Sequence, residues 1–157
     1  MKILIAADGS ECSRVAIEQA CRIFENSPEP EIEIISVFEF MVPAAGPYAF
    51  SAVYVQAIDD EAKAGARSIV EQAAARIREK CPHLANKTST KVVGGIPAQQ
   101  IVEEALTWGA DLIVTGSHGY GFWKRAWLGS VSNSIVHHAP CSVLVVRGAD
   151  HPQTADN

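Results

Sequence analysis

Five short apolar runs alternate with four stretches whose apolar residues recur at helical spacing, and this alternation constrains the fold more than any other property of the chain. Lys2–Ala7, Glu31–Glu39, Thr88–Val93, Asp111–Thr115 and Ser142–Arg147 read as strands. Their near-continuous apolar character is that of strands covered on both faces, although Glu31–Glu39 opens with strict alternation. The first helix has Ser10 as N-cap and Glu11 in its first turn, presents Val15, Ala16, Ile17, Ala20, Ile23 and Phe24 as its stripe, and ends near Glu25–Asn26. After a breaker-rich connection at 27–30 and a long loop at 40–53, Tyr54–Lys80 places Val55, Ile58, Ala62, Ala66, Ile69, Ala73 and Ile77 close to helical spacing, and Cys81-Pro82 stops it. Pro97 suits the first turn of a helix Ala98–Trp108, with Ile101, Ala105 and Leu106 inward and Gly109 closing it. The last helix opens on Gly129-Ser130 and ends near His137–Ala139, ahead of Pro140. The pattern predicts an α/β fold, one parallel sheet with helices on both faces. Residues 1–147 are expected to form a single domain, followed by a polar tail at 148–157.

Composition removes several classes. A chain of 157 residues supports one sizeable core, and an apolar share of 48% leaves no room for a disordered reading. The formal charge of −5, with 13 basic against 18 acidic residues and no basic block, argues against nucleic acid as a partner. Met1–Ala7 is too short an apolar run for a signal peptide, and no run approaches membrane-spanning length, so a cytoplasmic location and no membrane partner are expected. Cys12, Cys21, Cys81 and Cys141 show no C-x-x-C spacing. Cys12 and Cys21 stand about 900° apart around one helix, on opposite faces, so neither a pair nor a shared metal is expected of them.

The candidate functional stretch is 111–138, where a buried strand runs into Gly116 and Gly119 and a helix starts at Gly129-Ser130. Glycine allows positive φ and lets a ligand approach the backbone. The first N–H groups of a helix lack intrahelical acceptors and sit at the positive end of its dipole, so they receive anions. The pattern G-x2-G-x9-G-S reads as a phosphate clasp, with Lys124 and Arg125 in its loop as further candidates. Ser130 also serves as a candidate helix cap, and Asp8 as a turn former. The Walker pattern G-x4-G-K-[ST] and the dinucleotide fingerprint G-x-G-x-x-G are both absent. In a doubly wound sheet ligands bind at the carboxyl ends of strands where strand order reverses. If the first strand lies beside the fourth, Asp8 faces Gly116–Gly119 across such a crevice.

The strand–Asp8-Gly9-Ser10–helix opening, Gly95-x-Pro97, the run DLIVTGSHG, Gly129-Ser130 and the closing PCSVLVVR together resemble the universal stress protein family, from Met1 to about Arg147. The resemblance implies a flavodoxin-like sheet of order 3-2-1-4-5 and a homodimer joined through edge strand 142–147. It also implies the subgroup that binds ATP. Carried over residue by residue, it places Asp8 beside the ribose or magnesium-bound phosphates, which makes Asp8 the candidate for indirect contact with Mg2+. Ala7 and the backbone of Val37 would line the adenine site, with Gly116, His118 and Gly119 under the ribose and phosphates. Gly129, Ser130, Val131 and Ser132 would hold the phosphate chain with N–H groups and hydroxyls.

Three function classes remain open on the residues alone: a regulatory protein holding an adenine nucleotide, a nucleotide-free structural dimer, and a slow ATPase. The last lacks an identifiable base, since Glu39, His118 and the serines qualify only by type. ATP is not separable here from ADP, AMP or a cyclic nucleotide. A charge at an exposed helix N-terminus contributes about 0.3–1 kcal/mol, whereas micromolar affinity needs about 8 kcal/mol. An apolar base pocket must therefore supply much of the remainder.

Overall fold

The computed structural model describes residues 1–25, 30–40, 52–119 and 128–148. The loop expected at 40–53 (apart from its ends), the aromatic and basic residues Phe122, Trp123, Lys124, Arg125 and Trp127, and the tail beyond Gly148 lie outside the described residues.

Each expected strand forms, with ends that differ by at most one residue: β1 Lys2–Ala6, β2 Glu31–Phe38, β3 Thr88–Gly94, β4 Leu112–Gly116 and β5 Ser142–Val146. Between them run α1 Glu11–Phe24, α2 Ala52–Lys80, α3 Pro97–Trp108 and α4 Ser130–His138. A 3-10 segment, Pro82–Lys87, carries the chain from α2 to β3 and buries Leu84. No helical period marks this segment in the sequence, because so short a stretch has none to show.

All pairings are parallel and the strand order is β3-β2-β1-β4-β5. Alternation along the strands divides the core in two. Ile3, Ile5, Ile32 and Ile34 pack with α1 and α2, while Leu4, Ala6, Ile35 and Ile113 pack with α3 and α4. With helices on both faces, neither side of the central strands reaches water.

Helix ends follow the local chemistry. The Ser10 hydroxyl accepts from the Ser13 N–H at 3.2 Å and caps α1. Pro97 opens α3, and Gly109 closes it in a left-handed conformation with φ 72°. The expected Ser130 cap does not form. Gly129 is the N-cap of α4, without a side-chain bond, and Ser130 is already the first helical residue.

Two apolar residues expected inward face out: Ile23 is 52% exposed and Leu106 68%. On α1 the buried arc is filled by Ser13, Ala16, Ile17, Ala20, Cys21 and Phe24, and Ile23 falls at its border. On α3, Leu106 stands about 140° around the helix from Ile101, and the inward place goes to Glu104.

Candidate functional site

β1 and β4 are neighbours, with Ala6 opposite Thr115, so the turns that follow them meet at the carboxyl end of the sheet. Asp8 is set by its own turn: one carboxylate oxygen, Oδ1, accepts from the Ser10 N–H at 2.9 Å, and Gly9 takes φ 81°. The other oxygen points at the backbone of Gly119, where a Cβ would stand only 2.7 Å from Oδ2. Ser10 ties the two turns together, since its hydroxyl also donates to the His118 carbonyl at 3.4 Å.

The base of the loop after β4 is closed by hydrogen bonds. Ser117 donates its N–H to the Val146 carbonyl at 2.7 Å. Its own carbonyl accepts from the Gly129 N–H at 2.8 Å and from the Ser132 hydroxyl at 2.9 Å. The Gly129 N–H and the Ser132 hydroxyl are therefore engaged in shaping the loop. The first α4 bond to Gly129 comes from Asn133, so the N–H groups of Ser130, Val131 and Ser132 have no acceptor within the helix. These three, with the exposed Ser130 hydroxyl, are what this end of α4 offers an anion.

The three motif glycines serve close approach, not positive φ; among the described glycines only Gly9, Gly95 and Gly109 have positive φ. A Cβ on Gly116 would press on the first turn of α1, 2.8 Å from the Cys12 carbonyl carbon and 2.9 Å from the Ser13 nitrogen. At Gly129 it would stand 3.2 Å from the Ser117 carbonyl oxygen. Of the three, Gly119 is the one whose missing Cβ would come closer than 3.0 Å to another candidate site residue, 2.7 Å from Asp8 Oδ2.

A cavity of about 800 Å3 opens between these turns, and all ten expected residues lie in its wall: Ala7, Asp8, Val37, Gly116, His118, Gly119, Gly129, Ser130, Val131 and Ser132. Val37 reaches it through the pleat. The Phe38 carbonyl accepts from Gly95 on the β3 side, and the Ile35 carbonyl accepts from Ala7 on the β1 side. Val37 is in step with Ile35, so its N–H and C=O turn toward the end of β1, where the chain leaves at Asp8.

Sequence reasoning missed Ile35, Pro97 and Ile101, which add an apolar wall from β2 and α3. The available signal was that β2 and α3 cover the same half of the sheet, which becomes usable only once strand order is known. Glu39 also lines the cavity. Among the described residues, Asp8 and Glu39 are the carboxylates in the wall, and no lysine or arginine joins them.

The same residues bear on metal and thiol chemistry. Among the described residues no group of three or more His, Cys, Asp or Glu side chains could hold a metal ion. A cation here would have to share Asp8 with a ligand's own oxygens. All four cysteines are free. Burial, and then contact with Cys81, pushes the Cys21 thiol up to about 12, which keeps it a neutral core group.

Fold and cavity together define a flavodoxin-like α/β protein with a ligand-sized crevice at the switch point of its sheet. The family model described as "Universal stress protein family" matches residues 1–147. The universal stress protein YxiE of Bacillus subtilis is 31% identical over 150 residues, covering 93% of this chain and 98% of that protein. Among solved structures, a universal stress protein in complex with cAMP is 25% identical with a TM-score of 0.68, covering 95% of this chain and 98% of the other. A family member from Arabidopsis thaliana with AMP bound, 18% identical, shares the fold with a TM-score of 0.69 over 98% of this chain and 97% of its own. The chain belongs to the universal stress protein family.

Proposed function

We propose that the protein is a regulatory member of its family that holds an adenine nucleotide, ATP foremost, in the cavity between the turns after β1 and β4. The observation that carries this reading is the convergence of the ten residues, from four separate stretches of chain, on one wall. The adenine edge would pair with the backbone N–H and C=O of Val37, over Ala7 and the apolar wall of Ile35 and Ile101. Gly116, His118 and Gly119 would pass beneath the ribose. The phosphates would take the N–H groups of Ser130, Val131 and Ser132. A triphosphate brought beside Asp8 would place like charges together, so Mg2+ shared between Asp8 and the phosphates fits the acidic wall. The structure of a relative with cAMP supports adenine as the base.

The ATPase reading has less support. His118 is a candidate base in the wall, and its Nδ1 lies 3.0 Å from the Ser117 hydroxyl, a neighbour on its own loop. The proposed working unit is residues 1–147, acting in the cytosol as a dimer paired through β5.

Mass spectrometry of the small molecule released on denaturation, together with titration calorimetry of stripped protein with Mg-ATP, tests the reading. We expect micromolar binding that Gly119→Val weakens at least about a hundredfold, a loss of about 2.7 kcal/mol, because its side chain would displace Asp8 and enter the cavity. Unchanged affinity in the folded variant would overturn the assignment.

A further inference from the structure

Glu33 lies in the middle of β2 with its side chain on the α3–α4 face, since Ile32 and Ile34 turn the other way. It is 9% exposed, and its Oε1 is fully buried with no hydrogen-bond partner among the described residues. Glu104 on α3, also 9% exposed, lies within hydrogen-bonding reach of it. Two carboxyl groups thus meet at the seat of α3 on the sheet.

The charged groups that face Glu33 come from three elements: Glu104 on α3, Lys91 on β3 and Lys2 on β1. Neither lysine is committed to Glu33. The Lys91 ammonium sits 2.5 Å from Glu104 Oε2. The Lys2 ammonium donates to the Trp108 carbonyl at 3.1 Å and lies 5.2 Å from the centre of the Trp108 ring. Glu104 therefore has a cation in direct contact, whereas Glu33 feels both lysines only from further off. The arrangement that satisfies the buried oxygens is a protonated Glu33 donating to an ionised Glu104.

Burial first, then the charge of Glu104 and the hydrogen bond to it, hold the Glu33 carboxyl above the ordinary carboxylate range, and Lys91 and Lys2 offset this in part. The pair lies one helical turn from the cavity. Ile101 and Pro97 of α3 line the cavity wall, and Ile101 and Glu104 share the buried face of that helix.

We propose that the Glu33–Glu104 carboxyl pair is a proton-operated latch that seats α3 on the sheet and thereby couples nucleotide binding in the cavity to pH. It rests on the nucleotide reading of that cavity. With the shared proton in place, α3 is held down and the Ile101 wall is formed. When the proton leaves, two buried carboxylates compete for one lysine, α3 lifts, and the nucleotide loses its apolar wall. Linkage requires the converse: a nucleotide that needs a seated α3 draws a proton onto the pair. The folded value of Glu33 lies above the unfolded one. Its stabilising contribution is thus complete below the ordinary carboxylate range and is lost as pH rises through the folded value.

The test compares wild type with Glu33→Gln, which keeps the shape and the donor but cannot ionise. ATP affinity and thermal unfolding are both followed from about pH 5 to about pH 8, a range that starts above the ordinary carboxylate value. The titration of ATP itself is common to both proteins. We expect wild-type affinity to fall about tenfold relative to the variant per unit of pKa separation between the free and bound forms. The variant should gain thermal stability over wild type only at the upper end of the range. Parallel affinity profiles would overturn the latch and leave the nucleotide reading standing, as would stability curves that never separate. Absence of ATP binding by either protein at every pH would overturn the nucleotide reading itself, and the latch with it.

Discussion

Gly116 and Gly119 stand three residues apart in one motif, yet the space around them differs in kind. The methyl group of an alanine at 116 would meet the backbone of Cys12 and Ser13, which belongs to the first turn of α1 and cannot rotate away. At 119 it would meet one carboxylate oxygen of Asp8, the end of a side chain that can swing. Gly116→Ala is therefore expected to cost about 1–3 kcal/mol of folding stability, the range for overpacking a tight contact. Gly119→Ala should change stability much less. Denaturant unfolding of the two variants is the check, and equal losses would mean that Asp8 is as rigid as a helix backbone. The sequence shows a need for glycine at both places and points to a ligand as the reason. The packing partner of Gly116 lies about a hundred residues earlier in the chain, and no local pattern reports such a contact. Ser132 is similar: the family resemblance implies its N–H and hydroxyl for the phosphate chain, and the structure directs the hydroxyl to the Ser117 carbonyl, inside the loop.

Among the helices, type and approximate limits were legible because capping residues and apolar period agree. Ser10, Pro97 and Gly109 each act at the position their chemistry suggests. Facing was less legible. Leu106 follows Ala105 and invites an inward assignment, but the face of α3 is set by Ile101 and Ala105, and the remaining inward place falls to a glutamate. A charged residue inside a helix seat is invisible to a hydrophobicity pattern, because the pattern discards it as solvent-facing. Two substitutions on α3 separate the faces. Leu106→Lys should alter stability by less than about 0.5 kcal/mol, as at an ordinary surface position. Ile101→Ala should cost about 2–5 kcal/mol as a core truncation. It should also weaken nucleotide binding, because Ile101 is part of the cavity wall. If Leu106→Lys proved the more damaging, the helix would be rotated from the orientation described, and with it both the cavity wall and the seat of Glu104.

For the molecule as a whole, strand–helix alternation alone predicts a parallel sheet, while its order came through family resemblance, since crossover direction leaves no mark in local periodicity. That order leaves β3 and β5 as the two edges. They are not alike. β3 carries Ser89 and Thr90 exposed and a lysine, Lys91, which blunt an edge against pairing. β5 is Ser-Val-Leu-Val-Val, with its three middle residues half-buried in a single chain. An apolar edge of this kind calls for cover, and a second copy of β5 is the cover consistent with the proposed dimer. The ladder identifies the residue that tests it. The Val146 carbonyl accepts from Ser117 on the β4 side, so Val146 and Leu144 face β4 while Val143 and Val145 direct their N–H and C=O outward. Proline at 145 would remove an outward N–H and leave the β4–β5 ladder intact, the one setting in which a strand tolerates it. Val145→Pro is accordingly expected to sediment as a folded monomer at concentrations where the wild type is dimeric, with its circular dichroism little changed. A variant that stayed dimeric would move the interface away from β5. A wild type already monomeric at about 100 μM, where an interface of ordinary affinity is filled, would remove the dimer altogether and leave each crevice to act alone.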